Sequence, residues 1–155
     1  MVLLLVVANR SPALLKARLS TKVEVPFLNV ADGHHSASHD NNSAGYERIA
    51  NFHLRQLTYL ATKLDSMPEG DGTVLDHSCL MWLSNMWIGR KHDNSRLPLV
   101  LAGGLGGTLK TGRTLNYVDA GDDHRKMSSL FLSLMDRMGV TLEQFGDATE
   151  RLVNL

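Results

Sequence analysis

Apolar residues run unbroken from Val2 to Ala8 and recur in two further short blocks, Ser78–Ser84 and residues 97–102, each bounded by polar loops. A continuous leucine and β-branched run of this length is the pattern of a strand covered on both faces. Between these blocks the period changes. Over residues 44–67, Ile49, Phe52, Leu57, Leu60, Ala61 and Leu64 share one stripe, with Glu47, Arg48, Arg55 and Lys63 off it. That spacing predicts a long amphipathic helix, ended by the turn chemistry of Pro68-Glu69-Gly70-Asp71-Gly72. Ser11-Pro12 reads as an N-cap with proline at the first helical position, opening a short helix to about Leu19. Residues 23–28 read as a strand that Pro26 confines to an edge. Residues 31–45 read as a loop and 108–118 as a hairpin or irregular β excursion. Met127 to Met138 predicts a helix stopped by Gly139, and Thr141-Leu142-Glu143-Gln144 has the spacing of a capping box opening a last short helix. Helices alternating with apolar strands predict an α/β fold, a layered sheet with flanking helices. One domain spanning 1–155 accommodates it.

Composition narrows the picture in three ways. Sixteen basic residues balance sixteen acidic ones, and no Lys/Arg stripe interleaves with aromatics, so a nucleic-acid partner is not expected. The single cysteine, Cys79, excludes an internal disulfide and every multi-cysteine zinc pattern; inside an apolar run it reads as a small buried thiol. Residues 1–8 lack the basic flank and cleavage site of a signal peptide and are too short to span a bilayer. The expectation is a cytoplasmic chain with no membrane partner.

Chemistry concentrates in His34-His35-Ser36-Ala37-Ser38-His39-Asp40. If the backbone there is helical, His35 and His39 leave one face a turn apart, a spacing that one cation bridges. A solvated or capping loop is the competing reading, and the residues alone leave both open. Asp40 could add an oxygen ligand or orient an imidazole. Ser38 has no Gly-x-Ser-x-Gly setting and reads as an N-cap for the following turn, not a nucleophile. His53, on the apolar stripe, reads as a buried histidine holding one hydrogen bond. Asn85, His92 and Asp93 follow the Ser78–Ser84 block, where open α/β sheets collect their sites; a polar connection between strands is the even alternative. Gly103-Gly104-Leu105-Gly106-Gly107 lacks the features of a phosphate loop and reads as a tight strand-to-turn passage. Asp122 and Asp123 read as helix-capping carboxylates, and Trp82, Trp87 and the methionines as core.

His35-x-x-Ser38-His39, Phe52-His53, the run from Asp71 to Ser78, residues 97–104 and Phe145-Gly146-Asp147-Ala148-Thr149 together resemble, in the same order, a bacterial family of uncharacterised proteins named for its His-x-x-Ser-His-His motif. The resemblance covers residues 32–155 and leaves 1–22 outside. That family in turn looks like a distant relative of the alkaline phosphatase and sulfatase superfamily. The resemblance implies a truncated alkaline-phosphatase-like domain hydrolysing phosphate- or sulfate-ester-like bonds of a small-molecule substrate with a divalent metal, zinc by expectation. The family's members are longer, and export is the expectation for them. By the same resemblance His35 and His39 stand for the first ligand pair, Asn85-Met86 for the second and His92 for the last. Two departures matter. Asp40 replaces the motif's final histidine, and Asn85 stands where relatives carry aspartate, so its amide oxygen brings no charge to a cation. The superfamily's nucleophile-bearing half has no counterpart within residues 1–155.

Three functional expectations follow. The first is a metal-dependent hydrolase with His35, His39, His92 and Asn85 as ligands, Asp40 or Asp93 completing the shell, and His39, Asp40, His92 and Asp93 as the catalytic set. The second is a non-catalytic truncated module acting through binding or oligomerisation, pairing as a homo-oligomer through an exposed sheet edge. The third is a metal-independent hydrolase in which His39 or His92 is the general base beside an aspartate.

Overall fold

The computed structural model describes residues 2–8, 11–18, 26–30, 33–39 and 44–155. Its framework is a four-stranded antiparallel sheet in the order β2-β1-β5-β6, from β1 (Val2–Ala8), β2 (Ser11–Arg18), β5 (Ser78–Ser84) and β6 (Leu99–Ala102). Helix α1 (His34–Ser38) and the long α2 (Ala44–Asp65) intervene, then a two-stranded hairpin of β3 (Pro68–Glu69) and β4 (Gly72–Thr73). Helix α3 (Met127–Arg137) follows a long irregular stretch after β6. The arrangement is mixed α/β. Among the described residues no helix is long and apolar enough to cross a membrane.

Strand β5 is the spine. Residues 78–81 and 83 are buried, because β1 covers one edge, β6 the other, and helices cover the faces. Cys79, Met81 and Leu83 alternate onto one face and pack with Leu130 and Leu134 of α3, one helical turn apart. Each such leucine, fully buried, contributes about 2 kcal/mol. Leu80, fully buried, points to the opposite face, and α2 also contacts β5. Burial pushes the Cys79 thiol up to about 11, so it is a packing atom and not a nucleophile. The long helix buries Ile49, His53 and Leu57 at four-residue spacing, as its stripe predicts.

The polypeptide after α3 lies across that helix. Leu152 N–H donates to Ser133 Oγ at 2.8 Å, and Ser133 donates to the Ser129 carbonyl at 2.9 Å. Arg151 grips Asp136 through two bonds of 2.7 and 3.0 Å.

Five expectations need correction. Residues 11–18 form a strand, not a helix: β1 offers a second backbone edge, and β2 takes it from Leu3↔Arg18 to Ala8↔Ser11. Tertiary pairing outweighs the helix propensity of a Leu/Ala-rich segment. Pro12 is tolerated because β2 is an edge strand and the register shifts at Val7/Ala8. Pro26–Leu28 is a 3-10 turn, residues 23–25 and Leu19 lying outside the described residues. Part of the loop expected over 31–45 is the helix α1. The capping-box sequence at Thr141 opens no helix; Phe145 and Ala148 instead exchange two 3.0 Å backbone bonds around Gly146, which sits at φ 57°. Asp122 and Asp123 pair with Arg125 and Lys126, at 2.5 and 3.0 Å, and leave the α3 N-terminus without a side-chain cap.

Candidate metal centre

Helix α1 exists because one short turn finds partners on both sides. Ala37 is buried with Val30 and Ile49, while His34 rests against Tyr46 and His53 of α2, with ring centres 5.8 and 6.1 Å away. The opposite side of the turn presents His35 and His39. Their ring centres are 4.7 Å apart, the one-turn stacking that four-residue spacing gives on a helix. Ser38 is not an N-cap: its hydroxyl donates to the His35 carbonyl at 2.7 Å and closes the turn from within.

The third imidazole arrives on the loop after β5. Trp87 N–H donates to the Asp93 carbonyl at 2.7 Å and Asp93 N–H to the Ile88 carbonyl at 3.1 Å, tying the loop at its base. Its tip, the 3-10 turn Gly89–Lys91, ends on His92, which takes a left-handed backbone at φ 51°. A non-glycine residue held there costs roughly 1–3 kcal/mol and persists only where its surroundings fix it. Gly89 fixes this loop against α1: a Cβ at that position would stand 2.3 Å from the Ser38 carbonyl oxygen. Only glycine permits so close a backbone approach.

The result is a cluster of three rings. His92 lies 5.4 Å from His39 and 6.5 Å from His35, centre to centre. Imidazoles on one tetrahedral zinc have ring centres about 5.2 Å apart, from a Zn–N length of about 2.0 Å plus the ring radius. Two of the three separations fit that value, and the His35–His92 pair must close by about 1 Å. Among the described residues no group of three or more His, Cys, Asp or Glu side chains is placed to hold a metal ion as it stands.

Two buried atoms, one at the end of α1 and one just after β5, lack partners. His39 Nε2 and Asn85 Oδ1 make no hydrogen bond, and both belong to the ligand set expected from the sequence. Leaving such an atom unpaired costs roughly 1–3 kcal/mol, so each calls for a partner. An electron pair on a ring nitrogen and one on an amide oxygen are the donors a divalent cation accepts. The donor types present are those a metal takes, while their present spacing forms no metal-holding group of three among the described residues.

Asp93 is placed differently from the expectation that it completes the shell. Its carboxylate accepts from Ser95 N–H at 2.9 Å, and those bonds to Ser95 hold its pKa below the usual carboxylate range. Asp40 lies outside the described residues. The sheet is antiparallel, so the carboxyl-end rule for open parallel sheets does not explain the location. The cluster instead sits where the loop after β5 meets α1.

Sequence reasoning missed two contributors. Gly89 carries no signal, because its need arises only when two segments distant in the chain touch. The other is His34, which faces α2, where burial above all, with smaller contributions from neighbouring positive charge that include His53 and His35, lowers its pKa to about 4. His53 is buried as expected, with its own pKa lowered by burial, but its Nδ1 has no partner. No family model, curated protein or solved structure matches the chain.

Proposed function

We propose that the protein is a metal-dependent hydrolase of ester-type bonds, using His35, His39 and His92 with the Asn85 oxygen to hold one divalent cation. The observation that carries this reading is the approach of three rings from two separate elements, one of them, His39, with a buried, partnerless Nε2. Three neutral nitrogens and a neutral oxygen favour zinc among the common cations, and leave its charge uncompensated by the protein. When bound, such an ion polarises an ester oxygen and lowers the pKa of water toward neutrality. The chain's own residues orient and exclude. Gly89 brings His92 to the other two rings, and the closed loop base at Ile88 and Asp93 keeps it there. The exposed Arg90 and Lys91 beside His92 put positive charge where an anionic ester would approach. The motif resemblance supports a phosphate- or sulfate-ester substrate and a fold related to alkaline phosphatase.

A metal-free acid–base pair of His92 and Asp93 is less well supported, since that carboxylate is engaged with Ser95. The test is elemental analysis of the purified protein together with turnover of nitrophenyl phosphate, sulfate and acetate. The expected outcome is near-stoichiometric zinc or manganese and loss of turnover after chelation, restored by adding metal. Metal-free protein with turnover unchanged by chelation overturns the proposal.

A further inference from the structure

Away from the histidines, the free edge of the sheet opens onto a charged groove. Ser84 N–H donates to the Pro98 carbonyl at 3.3 Å, which sets the parity of β6. Val100 and Ala102 then turn their backbone groups toward β5, and Leu99 and Leu101 turn theirs away. Strand β6 ends the sheet, and no hydrogen bond among the described residues takes up these outward N–H and C=O groups. They line a groove of about 1060 Å³, the size of a large ligand site.

The groove walls are basic. Arg96, Lys110, Arg113, Arg125 and Lys126 all line it. Asp122 and Asp147 are the only carboxylate side chains among the lining residues. Arg125 is neutralised by Asp122 at 2.5 Å and Lys126 by Asp123 at 3.0 Å. Arg113 donates only to the neutral carbonyls of Lys110 and Asn154, so its charge stays uncompensated. The Lys110 ammonium and the Arg96 guanidinium make no hydrogen bond or ion pair among the described residues, and Arg96 is near enough to Asp93 to help lower its pKa.

We propose that this groove docks an extended acidic segment of a partner protein, which adds as a fifth strand along β6 with its carboxylates toward Arg96, Lys110 and Arg113. Strand addition to an exposed sheet edge uses the backbone for affinity and the flanking side chains for selectivity. A peptide supplies both donors and acceptors, as the edge requires. A DNA backbone offers phosphate acceptors and no donor, and an RNA backbone adds only its 2′-hydroxyl, so neither matches the alternating N–H and C=O groups of Leu99 and Leu101 as a peptide does. A second copy of this chain paired edge to edge would set the same three cations against each other.

The test uses the full chain and a fluorescent peptide of about ten residues alternating Glu and Val, followed by anisotropy. Saturable binding is expected, weakened about tenfold or more by Arg96→Glu combined with Lys110→Glu, two changes that remove no internal bond. A peptide of the same sequence N-methylated at alternate amides should fail to bind, because it cannot donate to the strand edge. Equal binding of the methylated peptide, equal binding by the double variant, preferential binding of polyuridylate, or sedimentation showing that the free chain dimerises through this face would each overturn the proposal.

Discussion

Strand β5 leads to histidine at both ends, and the two settings differ in what surrounds the rings. Before the strand, His77 is only 16% exposed, with Nδ1 2.9 Å from Glu69 and Nε2 3.6 Å from Asp71. The Nδ1–Glu69 bond fastens the β3–β4 hairpin to β5, and the ring lies between two carboxylates. After the strand, His35, His39 and His92 gather with no carboxylate bonded to any of them among the described residues, and a buried nitrogen is left over. A satisfied histidine is a fastener; an unsatisfied cluster is a candidate site. The same residue type serves stability or chemistry according to how its nitrogens are used.

The largest effect expected from that contrast is at His39. His39→Ala should reduce bound metal to a small fraction and turnover by about 100-fold or more, since it removes a donor from a set of three neutral rings. His77→Ala should leave metal content unchanged. Equal metal loss in both variants would erase the distinction. Gly89→Ala comes next. Its methyl group would collide with the Ser38 carbonyl and push His92 from its partners, so metal affinity should fall about tenfold and stability by about 1–3 kcal/mol. Calorimetric metal titration and chemical unfolding measure the two separately.

Smaller changes belong to the fastened end. Glu69→Gln keeps the shape of the His77 contact and removes its charge, and should cost about 1 kcal/mol or less with turnover intact. Asp76 provides a pH signature. Hydrogen bonds from the Thr73 N–H and hydroxyl, at 2.8 and 2.9 Å, hold its carboxyl below the ordinary range. A depressed folded-state pKa means stability that is present above the unfolded value, near pH 4, and lost as pH falls through the folded one. The melting temperature of the native chain should therefore decline more steeply below about pH 4 than that of Asp76→Ala. Parallel curves would show that the Thr73 bonds contribute nothing differential.

Legibility followed the range of the interactions involved. Val2–Ala8, Ser78–Ser84 and the long helix were readable because each carries its apolar pattern within its own residues. Ser11–Arg18 was not, because its strand identity comes from β1 lying alongside, and nothing in Leu14-Leu15-Lys16-Ala17 opposes a helix. The same holds for Thr141-x-x-Gln144, where contacts from residues 145–148 to α3, such as Asp147 to Ser128 at 2.6 Å, replace a helical start. At the candidate centre the pairing of His35 with His39 is local and was visible as spacing. The approach of His92 depends on Gly89 meeting Ser38, a contact between segments about fifty positions apart, which no window along the chain reveals.

The burial of Cys79 has a practical consequence. A lone thiol only 1% exposed, and nearly fully protonated near neutral pH, is shielded from alkylating dyes while the α3 face of the sheet stays shut. Its rate of modification therefore clocks spontaneous opening of the fold. Adding zinc should slow that clock if the ion clamps the loop after β5 onto α1, and should leave it untouched if the ion binds elsewhere.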